Sequence, residues 1–157
     1  VNPRRRFDDI VTSNLKEALI ALSPNESGLF VNELFARSES EDALANSLFL
    51  TPEDARTMYA GGMEIGSHSY AHRAFDTLDP EAQARDISAS QQVIGEITGK
   101  KPELLSYPNG RFTHETLDIL RRSGFQYAAT IEKGDLRSAR DPLLLPSYDT
   151  NHIDMSV

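Results

Sequence analysis

Three short clusters hold the side chains able to do chemistry in this 157-residue chain. They are Asp8-Asp9, then Gly66-Ser67-His68-Ser69-Tyr70-Ala71-His72, then Ser106-Tyr107-Pro108-Asn109-Gly110. His68 and His72 stand four residues apart, a spacing that on a helix turns both imidazoles toward one ion. The same spacing fits two unrelated surface histidines. Adjacent carboxylates can supply one metal ligand and one general base, because activating water requires a proton acceptor beside a Lewis acid. They equally fit a solvated acidic pair at a helix start, where the macrodipole favours negative charge. Pro-Asn-Gly is first of all a turn. Its functional reading is a backbone N–H offered to an anionic oxygen, with glycine permitting close approach. The chain has no cysteine and four histidines, so any metal must be held by His, Asp or Glu.

The elements that must position these clusters announce themselves by their ends. Thr51-Pro52-Glu53-Asp54 and Asp79-Pro80-Glu81 each set a capping side chain before a proline at the first helical position. The first predicts a helix to Gly61-Gly62; the second predicts one carrying Ile87, Ile94 and Ile97 and stopping at Gly99. A further helix is predicted from Thr113 to near Gly124. Leu15, Ala18, Leu19 and Leu22 form an amphipathic stripe that should end before Pro24. Between the helices lie strand-length apolar runs at 28–31, 63–66, 104–107, 125–131 and 143–145. Such alternation is the pattern of parallel βα units, whose strand carboxyl ends carry active sites. All three clusters are predicted at such ends. The segment 38–47 reads as a solvated loop or a short helix. Val1-Asn2-Pro3-Arg4-Arg5-Arg6-Phe7 stands where a first strand belongs, but it is proline-broken and triply basic, so that strand should be short or absent.

Charge and composition exclude other classes. A net charge of −8 argues against nucleic acid or an anionic membrane surface as partner. No apolar run approaches the roughly 18–20 residues of a membrane span, and no secretory leader pattern opens the chain. With 39% apolar and 25% charged residues, one packed domain over residues 1–157 is expected.

The three clusters, in their order, resemble the polysaccharide deacetylases with the NodB-homology domain, carbohydrate esterase family four. The family's Thr-Phe-Asp-Asp-Gly and Asn-Leu-x-x-Ala-Leu segments are met by Phe7-Asp8-Asp9-Ile10 and Asn14-Leu15-Lys16-Glu17-Ala18-Leu19. A family Phe-Val strand is similar to Leu29-Phe30-Val31-Asn32. The histidine motif is met by Gly62-Met63-Glu64-Ile65-Gly66-Ser67-His68 with His72, and the Tyr-Pro-x-Gly motif by Tyr107 to Gly110.

The resemblance implies an α/β fold, a distorted and incomplete (β/α) barrel of about six to seven strands. It implies a divalent metal, zinc first, held by Asp9, His68 and His72, with Asp8 as the base acting on water. The substrate would be an N-acetylated glycan contacted by Tyr107, Pro108, Asn109 and Gly110. Its acetyl group would be released as acetate while the metal and an N–H near Asn109 hold the oxyanion. An extracytoplasmic location is implied as well.

The chain departs from the family at several points. Ile10 replaces a glycine, and Arg73 stands where proline is common. Ser106 and Ser147 stand where many members have arginines that orient the catalytic aspartate; Arg137 and Arg140 are candidate substitutes. A late Leu-x-His motif, the usual general acid, is missing; His114 reads as a surface residue and His152 as a solvated terminal one. These departures keep open a second reading, a degenerate non-catalytic domain that binds glycan or a protein partner. A third is an unrelated α/β domain with incidental histidines.

Overall fold

A computed structural model describes residues 8–37 and 41–148. The expected first strand before Asp8 and the terminal His152 lie outside the described residues. The chain divides into two compact units, Val1–Thr51 and Pro52–Val157.

The first unit contains three helices among its described residues: α1 (Ile10–Ala21), α2 (Pro24–Ala36) and α3 (Glu41–Leu48). The Asp9 side chain caps α1, accepting from the amides of Val11 and Thr12. The helix ends ahead of Pro24, as the stripe predicts. The run 28–31, expected as a strand, lies inside α2. The reason is Ser23-Pro24-Asn25-Glu26, which forms a full capping box with proline at the first helical position. Proline and Gly28 read as breakers in the sequence, but here proline starts the helix and a single glycine costs only about 1 kcal/mol relative to alanine. Leu29 and Phe30 remain exposed. Segment 38–47 resolves in favour of the short helix over its described part, α3.

The second unit alternates helix and strand: α4 (Pro52–Ala60), α5 (Pro80–Thr98), β1 (Leu104–Ser106), α6 (His114–Ser123) and β2 (Tyr127–Ala129). Helix α5 is bounded by the Asp79 cap and by Gly99, whose left-handed φ of 77° closes the last turn. Helix α6 starts on a Thr113–Thr116 capping box and stops at Gly124.

Strands β1 and β2 pair in parallel, Leu105 opposite Ala128. Parallel bridges join Ser67 to Leu105 and Ala129 to Leu145. Neighbours therefore follow chain order across the sheet. Two strands form among the described residues, fewer than the six to seven expected. The run 63–66 instead leads into a single bridge at Ser67, and the run 143–145 contributes one at Leu145. The first is flanked by glycines and the second lies between Pro142 and Pro146, which cannot donate to a ladder.

Leu105 and Ala128 face the core with Phe75, Ile87, Leu117 and Leu120. Tyr107 is buried with them, and its hydroxyl donates to the Leu143 carbonyl at 2.8 Å. Burial pushes its phenol pKa well up, so it stays a donor at any ordinary pH. Tyr107→Phe should destabilise the protein by about 1–3 kcal/mol, because the Leu143 carbonyl is left buried and unpaired. Denaturant titration would show this as a lower midpoint at unchanged slope. An unchanged midpoint would mean that the carbonyl finds another donor.

Candidate functional site

All four sheet segments run parallel, so the residues following Ser67, Ser106, Ala129 and Leu145 leave from one edge. That edge holds two of the three sequence clusters.

The histidine loop begins at Ser67, which is held in the sheet by both its amide and its carbonyl. Its N–H donates to Leu104 O and its carbonyl accepts from Ser106 N, each at 2.8 Å. The loop is not helical. Ser69 and His72 both adopt left-handed backbone, at φ 66° and 54°. The result nevertheless brings the two imidazoles together, with Nε2 of His68 3.2 Å from Nε2 of His72 and ring centroids 4.8 Å apart.

Nδ1 of His68 lies 2.7 Å from the Ser106 carbonyl oxygen. That oxygen can only accept, so Nδ1 carries the hydrogen and, in the neutral ring, Nε2 presents its lone pair. Two nitrogens bound to one tetrahedral zinc at about 2.0–2.1 Å would stand about 3.3 Å apart. The observed 3.2 Å separation fits a shared ion, and the carbonyl tie on Nδ1 is the usual outer partner of a metal-ligating histidine. Both imidazoles are exposed. Within this unit no third imidazole or carboxylate joins them to make a set of three among the described residues.

Tyr107 to Gly110 follow β1 directly. Tyr107 N–H donates to Ala129 O, while the amides of Gly110 and Arg111 close the turn onto Tyr107 and Pro108. The amide of Asn109 takes part in none of these bonds. Asn109 is exposed with φ 57°, and Gly110 has φ 66°. A β-carbon on Gly110 would lie 2.7 Å from Ile131 Cδ1, so the close approach of this turn to the end of β2 requires glycine. The His68–Ser106 bond ties this motif to the histidine loop.

Asp8 and Asp9 belong to the first unit. Both Asp8 oxygens accept from Lys16 Nζ at 2.9 Å, so a cation beside Asp8 comes from α1, a turn and a half into the helix. Asp9 accepts from two amides and, through Oδ2, from the Thr12 hydroxyl at 2.7 Å. The Thr12 bonds hold its carboxyl below the usual carboxylate range. Three of roughly four lone-pair sites on that carboxylate are thus used locally.

Two of the other sequence candidates have their own partners. The Ser147 amide donates to Glu132 O and its hydroxyl donates to Thr130 O. Arg137 closes on Asp135 at 2.8 Å. His114 is exposed at the first position of α6.

Sequence reasoning passed over Asp86 and Ser90 on α5. Asp86 accepts the amides of Tyr70 and Ala71, and Ser90 Oγ meets Ser67 Oγ at 2.8 Å. A signal existed: Gln83, Ser90 and Gln91 are buried on a helix whose inward stripe should be apolar. Polar side chains there need partners, and the adjacent histidine loop supplies one.

Comparison with known proteins gives a consistent answer. A family model described as polysaccharide deacetylase matches residues 6–128. YxkH of Bacillus subtilis (strain 168), which bears a polysaccharide deacetylase name, is 28% identical over 128 residues, 82% of this chain and 44% of its own. The peptidoglycan deacetylase-like protein FGM2 of Gibberella zeae is 29% identical over 57% of this chain and 27% of its own. Among solved structures, the Streptococcus pyogenes deacetylase PplD in complex with acetate superposes with a TM-score of 0.60 at 23% identity. That superposition covers 62% of this chain and 43% of PplD. The chain spans less than half the length of each of these relatives.

Proposed function

Because the chain belongs to the polysaccharide deacetylase family, we propose that it hydrolyses the acetamide of an N-acetylated glycan, outside the cytoplasm, to acetate and a free amino sugar. The parallel neighbours in chain order read as an arc of the family's distorted barrel. His68, His72 and Asp9 would hold a divalent metal, zinc before others, since imidazole and carboxylate suit it without thiolate.

The observation that carries this reading is the 3.2 Å approach of the two Nε2 atoms, with His68 fixed from behind by the Ser106 carbonyl. When bound, such an ion supplies Lewis acidity toward the acetamide carbonyl and lowers the pKa of adjacent water. The chain's own residues do the rest. His68 and His72 keep their lone pairs on a common point. Asp8 accepts a proton from the attacking water, its carboxylate held by Lys16, and passes it to the amine nitrogen as the C–N bond breaks. The Asn109 N–H meets the carbonyl oxygen as negative charge develops there, and Gly110 lets the substrate approach that amide.

Acetate release from N-acetylated chito-oligosaccharides by the zinc-supplemented chain, abolished by chelation, is the test. No release across a broad glycan panel would overturn the enzymatic reading. A non-catalytic, glycan-binding role has one specific support: Ser147, at a position where an arginine would serve Asp8, and Arg137, a candidate substitute for it, are engaged with Thr130 and Asp135. Saturable glycan binding without acetate would decide for it.

Asp9 has two roles to separate, helix cap and metal ligand. Serine caps about as well as aspartate. Asp9→Ser should therefore leave helical circular dichroism unchanged while zinc affinity falls by about tenfold or more. Unchanged affinity would leave Asp9 as a cap alone.

A further inference from the structure

The stretch from His68 to His72 has little intrinsic reason to hold its shape. It is exposed for the most part, and two of its residues, Ser69 and His72, carry β-carbons into left-handed backbone. Beyond the imidazole pair itself, its backbone is held locally by Ser69 N–H to Ser67 Oγ at 3.3 Å and by His72 N–H to Ser69 Oγ at 2.8 Å. What fixes the middle of the loop comes from outside it. The amides of Tyr70 and Ala71 point the same way and each reaches one oxygen of Asp86, Oδ1 and Oδ2 respectively, at 2.9 Å. Asp86 is half-buried on α5, one turn before Ser90, which holds Ser67. A single helix face thus grips the loop at its entry and at its midpoint.

We propose that Asp86 is a positioning residue for the histidine pair: by accepting both amides it sets the turn that brings the two Nε2 atoms to one point. The proposal rests on the reading that His68 and His72 hold a metal. The chemistry of the clamp demands a carboxylate. Two parallel N–H donors meet two oxygens of a group that only accepts. Asparagine offers one oxygen and turns an NH2 group toward the second donor.

The experiment compares wild type, Asp86→Asn and Ser90→Ala. Zinc affinity is measured by competition with a chromogenic chelator, and amide hydrogen exchange is followed at Tyr70 and Ala71 in the metal-free chain. In Asp86→Asn, affinity should fall about 10–100-fold. Exchange at Tyr70 and Ala71 should accelerate about tenfold or more, while the amides of α5 keep their protection. Ser90→Ala should leave those two amides near wild-type exchange.

Affinity within about twofold of wild type, or unchanged exchange at both amides, would overturn the proposal. If Asp86→Asn loses protection throughout α5, Asp86→Glu carries the test by the same two readouts. It keeps the charge and displaces both oxygens by one methylene. Wild type that binds no zinc would sink the metal reading and this proposal with it; wild type that binds, with an equally tight Asp86→Asn, would sink the proposal alone.

Discussion

Replacing His68 with alanine should take bound zinc from close to one ion per chain to background, and acetate release with it. The imidazole would supply one donor nitrogen, and its Nδ1–H also ties the loop to the Ser106 carbonyl. Removing an outer partner of a metal ligand costs about 10–100-fold in affinity, so removing a ligand itself should exceed that. The fold should survive. The ring is exposed, and a hydrogen bond at such a place contributes about 0.5–1.5 kcal/mol. For a domain of this size that corresponds to a melting shift of only a few degrees, about 2–4 °C per kcal/mol. Metal content by elemental analysis, read beside the melting temperature, separates loss of the site from loss of the protein. Metal content equal to wild type would remove His68 from the ligand set and, with it, the basis of the functional reading.

Asp8→Asn should produce the opposite split. The variant keeps the size of the side chain and an oxygen for Lys16 to donate to, but it removes the proton acceptor. General-base catalysis contributes about 10²–10⁴-fold in rate, and acetate release should fall within that range while bound zinc is unchanged. Turnover equal to wild type would exclude Asp8 as the base. Parallel loss of zinc would move Asp8 from base to ligand. The ion pair with Lys16 is partly exposed and adds little to stability, at most about 1 kcal/mol. Its contribution lies in where the carboxylate points.

Much of the second unit was legible because its helix ends are chemically explicit. Asp79-Pro80 and Gly99 bound α5, and Thr113 and Gly124 bound α6, where the capping rules place them. The short runs at β1 and β2 were readable because glycine and proline delimit them. The run 28–31 misled because its apolar content is compatible with either periodicity. The deciding signal was upstream, in the Ser23–Glu26 capping box.

At the site, residue types and spacing located the histidine pair at a strand end, but the spacing did not show what joins the two rings. Two left-handed residues and a carboxylate from another element do that. Such a partnership links residues 16 apart in sequence and has no local signature. Lys16 beside Asp8 was similarly hidden, since a lysine on an exposed helix face looks like a solubilising charge.

The chain-order pairing of the sheet has a bearing on how the surroundings of the histidine pair can change. Each connection leaving the carboxyl edge returns through its own helix or turn to the next neighbour, without crossing another connection at that edge. A longer excursion after Ser67, Ser106 or Ala129 therefore alters what surrounds the histidines but leaves every strand pairing in place. Doubling the length of a flexible loop costs only about 0.6 kcal/mol in closure entropy. What borders the histidines can change by insertion at one edge while the opposite edge, and the core between α5, α6 and the sheet, stays under separate selection for stability.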